Sequence, residues 1–185
     1  MKAAPRGGPC GPAWRGRSAA CEDRPVGGSR TSEEGSGQLS IQERLFPTLR
    51  CFGCGPANPK GLRLRSYPAE GSVVAVFTPW PEHDNGLGYL NGGIIATVLD
   101  CHSAAVVLLE AERHSWTASA GATLPYVTAG LDLRYLRPTP LGETVELRGI
   151  VLSADEAGIV AEVELRWEGK IRAAAEARWK RWSPR

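Results

Sequence analysis

The feature that most restricts the fold of this 185-residue chain is one helical run at residues 94–109, Ile-Ile-Ala-Thr-Val-Leu-Asp-Cys-His-Ser-Ala-Ala-Val-Val-Leu-Leu. It is apolar on nearly every side, and Asp100 and His102 are the only acidic or basic residues in it. A helix of that kind must be buried on most of its surface, because an amphipathic surface helix would show a polar stripe. At about sixteen residues the run is shorter than the ~18–20 that a bilayer span needs. We read it as the core helix of a folded domain, extending from Gly92 to about Glu112, so other elements of the chain must surround it.

Alternating segments supply that cover. Leu62 to Tyr67 and Val73 to Thr78 read as a hairpin around Glu70-Gly71. After the helix, Thr128 to Leu136, Thr144 to Leu152, Gly158 to Trp167 and Ile171 to Trp182 alternate apolar and polar residues, as strands with one covered face do. Short connections between such strands imply antiparallel pairing. The expected class is α+β, a curved antiparallel sheet wrapped around one long central helix. A short helix is expected within 40–50, with Ser40 as N-cap and Glu43 completing a capping box.

Composition is that of an ordinary globular protein, with 42% hydrophobic and 23% charged residues. Residues 1–38 are rich in Gly, Pro, Ser and Arg and offer few aliphatic side chains to offset the entropy of ordering, so they read as a disordered tail ahead of a domain at 39–185. Residues 1–32 carry six Lys/Arg against Glu22 and Asp23, which leaves the rest of the chain at −2 although the whole is +2. A slightly acidic domain lacks the basic face that nucleic acids require. The first residues lack a signal peptide's apolar core, and five cysteines are too few and odd in number for a disulfide framework. A cytoplasmic protein with no nucleic-acid or membrane partner is expected.

Asp100 is the most informative residue for chemistry. A carboxylate inside an apolar helix is expensive unless it is protonated, paired or functional. Asn91-Gly92-Gly93 stands at the start of the same helix, with Gly93 two turns before Asp100 on the same face. Asn91 suits an N-cap, and the free amides behind it suit an oxyanion or a polarised carbonyl. His83 lies in the preceding loop and is a candidate for ligand contact. His102 falls on the helix face away from Asp100 and reads as a satisfied core or interface histidine. Cys51-Phe52-Gly53-Cys54 has zinc-ligand spacing, but a structural site takes four ligands. No second such pair is present, and Cys101 and His102 point about 100° apart on the helix. We therefore expect a structural loop there and no metal.

The run from His83 through Asn85, Asn91-Gly92-Gly93 and Asp100 resembles the central motif of hotdog-fold thioesterases. It is most similar to the PaaI-like, phenylacetate-degradation type branch of acyl-CoA thioesterases. Those proteins show His-Gly-Gly and then an apolar helix with Leu-(Val/Leu)-Asp. Leu131 to Pro138, ending Tyr-Leu-Arg-Pro, resembles the family's long strand, and Gly142-Glu143-Thr144-Val145 its following turn; the similarity covers roughly residues 50–182. The resemblance implies a hotdog fold and hydrolysis of an acyl-CoA or carrier-bound thioester, without a cofactor. It implies Asp100 as base or nucleophile and the Gly92 amide as oxyanion donor, with Gly93 beside it. It further implies that Asn85 orients water or the thioester and that Thr128 helps hold the attacking water. Lys60, Arg63, Arg134 and Arg137 are candidates for the phosphates of a coenzyme A tail. A homodimer or homotetramer is implied, with amide and acid coming from opposite subunits. One departure stands out: Asn91 occupies the place of the usual His, keeping a hydrogen-bonding group but losing one that titrates. Two other readings remain, a non-catalytic acyl- or aryl-ligand-binding module and an enoyl-thioester hydratase or dehydratase.

Overall fold

The computed structural model describes residues 37–184, so the tail expected at 1–38 lies almost wholly outside the described residues. The elements in chain order are α1 (Ile41–Leu45), β1 (Ser66–Ala69), β2 (Ser72–Phe77), a 3-10 turn (Pro81–His83), α2 (Gly92–Arg113), β3 (Tyr126–Tyr135), β4 (Val145–Ala154), β5 (Gly158–Trp167) and β6 (Lys170–Arg181). The strands form one antiparallel sheet in the order β1-β2-β4-β5-β6-β3. α2 touches all six of them. This is the expected α+β architecture, the hotdog arrangement of a sheet around one helix.

The sheet bends because its ladder is interrupted. Register shifts leave one extra residue between Thr128 and Gly130 in β3, one between Val151 and Ser153 in β4 and one between Ile171 and Ala173 in β6, opposite Leu165 and Arg166. Each extra residue kinks its strand and increases the local twist. Small inward residues then let α2 approach: Ala161 on β5 and Ala173, Ala175 and Ala177 on β6 are all buried. Gly149 on β4 makes the tightest approach, since a Cβ there would sit 2.5 Å from Val106 Cγ2.

α2 runs 22 residues, longer than its apolar centre, and is long and apolar enough by length and composition to cross a membrane. Its apolar surface is instead spent against the sheet: Val98, Leu99, Ala105, Val106 and Val107 are essentially inaccessible. His102 is the core histidine expected. Its Nε2 lies 3.2 Å from Val73 O and its Nδ1 3.0 Å from Ser66 Oγ. A carbonyl can only accept, so Nε2 carries the proton and Nδ1 accepts from the Ser66 hydroxyl. Gln42 closes the network, donating to Ser66 Oγ and accepting from Ser66 N. The network ties α1 and the first hairpin to α2.

The first hairpin is shorter than expected. Leu62 and Leu64 are buried in alternation like strand residues. Their amides, however, donate to Phe52 O and Gly53 O and not to β2. The expected helix at 40–50 is a single turn with the predicted capping box; it stops at Phe46, immediately before Pro47.

Candidate active site

Asn91 caps α2 as expected, its Oδ1 accepting from Gly93 N at 2.7 Å. That bond occupies the Gly93 amide. The Gly92 amide meets no acceptor among the described residues, so it is the donor left for a ligand, at the positive end of the helix dipole. Tyr135 at the end of β3 holds this peptide from the other side, its hydroxyl donating to Gly92 O at 2.8 Å. A Cβ on Gly92 would stand 3.3 Å from that hydroxyl, so the glycine also makes room for the tyrosine.

A cleft of about 630 Å³ opens in front of this helix start. Leu87, Leu90, Ile95 and Leu136 give it apolar walls, and Gly92, Gly93, Asn85 and Arg137 border it. Asn85 is fixed by the loop it serves: its Oδ1 accepts from Leu87 N at 2.8 Å and Tyr89 N at 3.3 Å. Its amide NH₂ takes no partner among the described residues. His83 is not at the cleft. The residue is 5% exposed, its ring centroid lies 3.7 Å from that of Trp80 and 5.7 Å from that of Phe77, and burial holds it below its ordinary pKa. It reaches the site through its main chain, His83 O accepting from Asn91 N. Arg137 binds Ile171 O at 2.9 Å beside the cleft. Lys60 and Arg63 are exposed on the loop that follows Cys54.

Asp100 lies two turns further along α2, outside that cleft. Thr128 Oγ1 donates to Asp100 Oδ1 at 2.9 Å, so the two residues meet as the resemblance implied. The bulge at Ala129 resets the alternation of β3 directly after Thr128. β3 runs along α2 so that one of its hydroxyls meets the acid and the other meets the helix start. Burial pushes the Asp100 carboxyl above its ordinary value, the Thr128 hydrogen bond lowers it and negative charge on the Cys51 sulfur raises it again. A carboxylate with one hydroxyl donor and a raised pKa can take a proton from water.

The same stretch of helix holds a cluster not anticipated from spacing. Cys51, Cys54 and Cys101 place their sulfurs within 4.8 Å of one another, and Cys51 Sγ stands 3.7 Å from Cys101 Sγ. The sequence reading took Cys51–Cys54 as a structural loop and set Cys101 only against His102; the fold brings Cys101 to the pair. Hydrogen bonds from Cys101 and Cys54 and from the Cys54 and Gly53 amides hold the Cys51 thiol far below its usual range. Tyr135 and Cys101 are the two contacts missed. Seven-residue spacing from Thr128 could have flagged Tyr135, but nothing local marks Cys101.

Residues 87–174 match the family model described as Thioesterase superfamily. Acyl-coenzyme A thioesterase 13 of Homo sapiens and of Pongo abelii are each 29% identical over 110 residues, covering 60% of this chain and 71% of theirs. A thioesterase superfamily protein from Shewanella loihica PV-4 superposes with a TM-score of 0.53 at 29% identity, covering 65% of this chain and 91% of its own. A phenylacetic acid degradation-related protein from Ralstonia eutropha JMP134 shares the fold at a TM-score of 0.57 and 23% identity, over 76% and 98% of the two chains.

Proposed function

Because residues 87–174 match the model of the thioesterase superfamily, we propose that this chain belongs to it and hydrolyses an acyl-CoA or carrier-bound thioester to a free acid and a thiol. One observation carries the assignment: a half-buried carboxylate, Asp100, is held by Thr128 on the same helix whose unpaired Gly92 amide fronts an apolar cleft.

In the proposed reaction the thioester carbonyl oxygen accepts from Gly92 N, where helix-end charge stabilises the oxyanion as it forms. The acyl group lies against Leu87, Leu90, Ile95 and Leu136. Water, oriented by Thr128 and Asp100, attacks the carbonyl carbon while Asp100 takes its proton. The tetrahedral intermediate collapses, the carbon–sulfur bond breaks, and the thiolate leaves and takes up the proton. Direct attack by Asp100, giving a mixed anhydride that water then cleaves, uses the same groups. Asn85 offers its free NH₂ to the thioester or the water.

Gly92 and Asp100 of one chain cannot share one carbonyl. Eight residues of helix separate them by about 12 Å along the axis, whereas an oxyanion donor and a base acting on one carbonyl each need hydrogen-bond reach of about 3 Å. The proposed site therefore takes Gly92 from one protomer and Asp100 from its partner. The edge of the sheet supports such a dimer. β3 is a ten-residue edge strand with neither Pro nor Lys in Tyr126–Tyr135 and with no strand on its outer side among the described residues. Long unpaired edges call for cover, and pairing of two β3 strands would bring Asp100 and Thr128 to the shared boundary. Assembly of two such dimers into a tetramer, and a cytoplasmic location supported by the free thiols of Cys51, Cys54 and Cys101 among the described residues, complete the proposal.

Incubation of the protein with mixed acyl-CoAs, followed by mass analysis, tests the assignment. Free acid and free CoA should accumulate with wild type and not with Asp100→Ala. Equal rates for the two proteins, with ligand still bound, would instead indicate the binding-module reading, which the capping role of Asn91 in place of a histidine favours. Loss of enoyl absorbance on an enoyl-CoA would indicate hydration.

A further inference from the structure

We propose that Cys51, Cys54 and Cys101 form a binding site for one thiophilic divalent ion of the zinc class. Tetrahedral zinc thiolates have Zn–S bonds of about 2.3 Å, which puts neighbouring sulfurs about 3.8 Å apart. Cys51 Sγ and Cys101 Sγ already lie 3.7 Å apart, and all three sulfurs fall within 4.8 Å. Little movement is needed to bring the third onto the same ion.

The loop is built to deliver two sulfurs at that spacing. Cys51-Phe52-Gly53-Cys54-Gly55 closes as a tight turn, Gly55 N donating to Cys51 O at 2.9 Å. Both glycines are sterically required. A Cβ on Gly53 would stand 2.3 Å from Cys101 Sγ, and one on Gly55 would stand 2.4 Å from Cys51 N. The third sulfur comes from α2, so the ion would staple the loop to the core helix one residue past Asp100. Cys54 and Cys101 are each 4% exposed, whereas Cys51 is only partly covered and leaves an entry path. Three thiols lose their protons to solvent as the ion binds. Water fills the fourth position, as in three-ligand zinc sites generally. Hydrolysis of thioesters plays no part in this inference, and its failure would leave the proposed reaction untouched.

Full-length protein, reduced and stripped with chelator, is titrated with Co²⁺ in the absence of oxygen. The expected result is a sulfur-to-cobalt charge-transfer band that saturates at about one ion per protomer, together with the intense visible bands of a tetrahedral site. Zinc should displace the cobalt and raise the melting temperature of wild type. Cys51→Ser and Cys54→Ser, checked for fold by circular dichroism, should lose at least tenfold in cobalt affinity and most of the zinc-dependent melting shift. If a serine variant does not fold, the wild-type spectrum decides alone. A titration without the charge-transfer band, or folded serine variants that bind cobalt as wild type does, overturns the proposal.

Discussion

Asp100 and Thr128 separate reaction from positioning at the scale of single residues. Asp100→Asn keeps the volume and the hydrogen bond and removes the base. We expect kcat to fall by about 10²–10⁴, with KM and the circular dichroism spectrum little changed. Thr128→Val removes only the hydroxyl that holds the carboxylate at 2.9 Å, and a loss of about tenfold fits a single hydrogen bond. Steady-state kinetics on one acyl-CoA checks both, and equal losses would mean that Thr128 does more than orient. Asp100 was legible in the sequence because a carboxylate within an apolar helix is costly. Thr128 and Asn85 were reached only through the family resemblance. The Tyr135 hydroxyl on Gly92 O and the third sulfur of Cys101 escaped notice because each joins elements far apart in the chain, and no local pattern encodes such a meeting.

The elements hold together where α2 meets the sheet most closely. Gly149→Ala would place a methyl 2.5 Å from Val106 Cγ2 and 3.0 Å from Val163 Cγ1. Overpacking of that kind costs about 1–3 kcal/mol, and thermal unfolding should show a melting temperature several degrees lower. His102 makes a second prediction. Burial lowers its pKa to about 4, beneath the ~6.5 of an unfolded chain. The unfolded state therefore binds a proton that the folded state refuses, and stability should fall as pH drops from about 6.5 towards 4, by at most about 3 kcal/mol. Protonation would also force Nδ1 to donate to Ser66 Oγ, reversing the bond it accepts now. Urea unfolding across that window should lose much of its slope in His102→Gln; an unchanged slope would assign the pH effect elsewhere. Period-2 patterning placed β2 to β6, and the uniformly apolar run placed α2, within a few residues. β1 was misplaced because Leu62 and Leu64 alternate in burial while bonding to the cysteine loop. Side-chain alternation reports which face is covered, not which backbone is the partner.

For the whole molecule, a single protomer holds both halves of the chemistry but at separate places. The Gly92 amide opens on the 630 Å³ cleft, while Asp100 sits two turns away by the uncovered edge of β3. Gly92→Pro removes the amide N–H, and Gly92→Ala, which keeps it, controls for the added Cβ that meets the Tyr135 hydroxyl at 3.3 Å. Proline is tolerated at the first helical position, where its missing N–H breaks no helix bond. Asn91 already has the extended backbone that a following proline requires, at φ −60 and ψ 135. The variant should keep α2 and lose hydrolysis, as circular dichroism and the acyl-CoA assay would show together. The most direct measurement of the shared site mixes two inactive proteins. Asp100→Asn and Gly92→Pro chains, unfolded together in equal amounts and refolded, should recover about a quarter of wild-type activity, because half the dimers are mixed and each of those holds one intact site. No recovery from a mixture shown to contain mixed dimers would place both groups of each site within one chain and contradict the account.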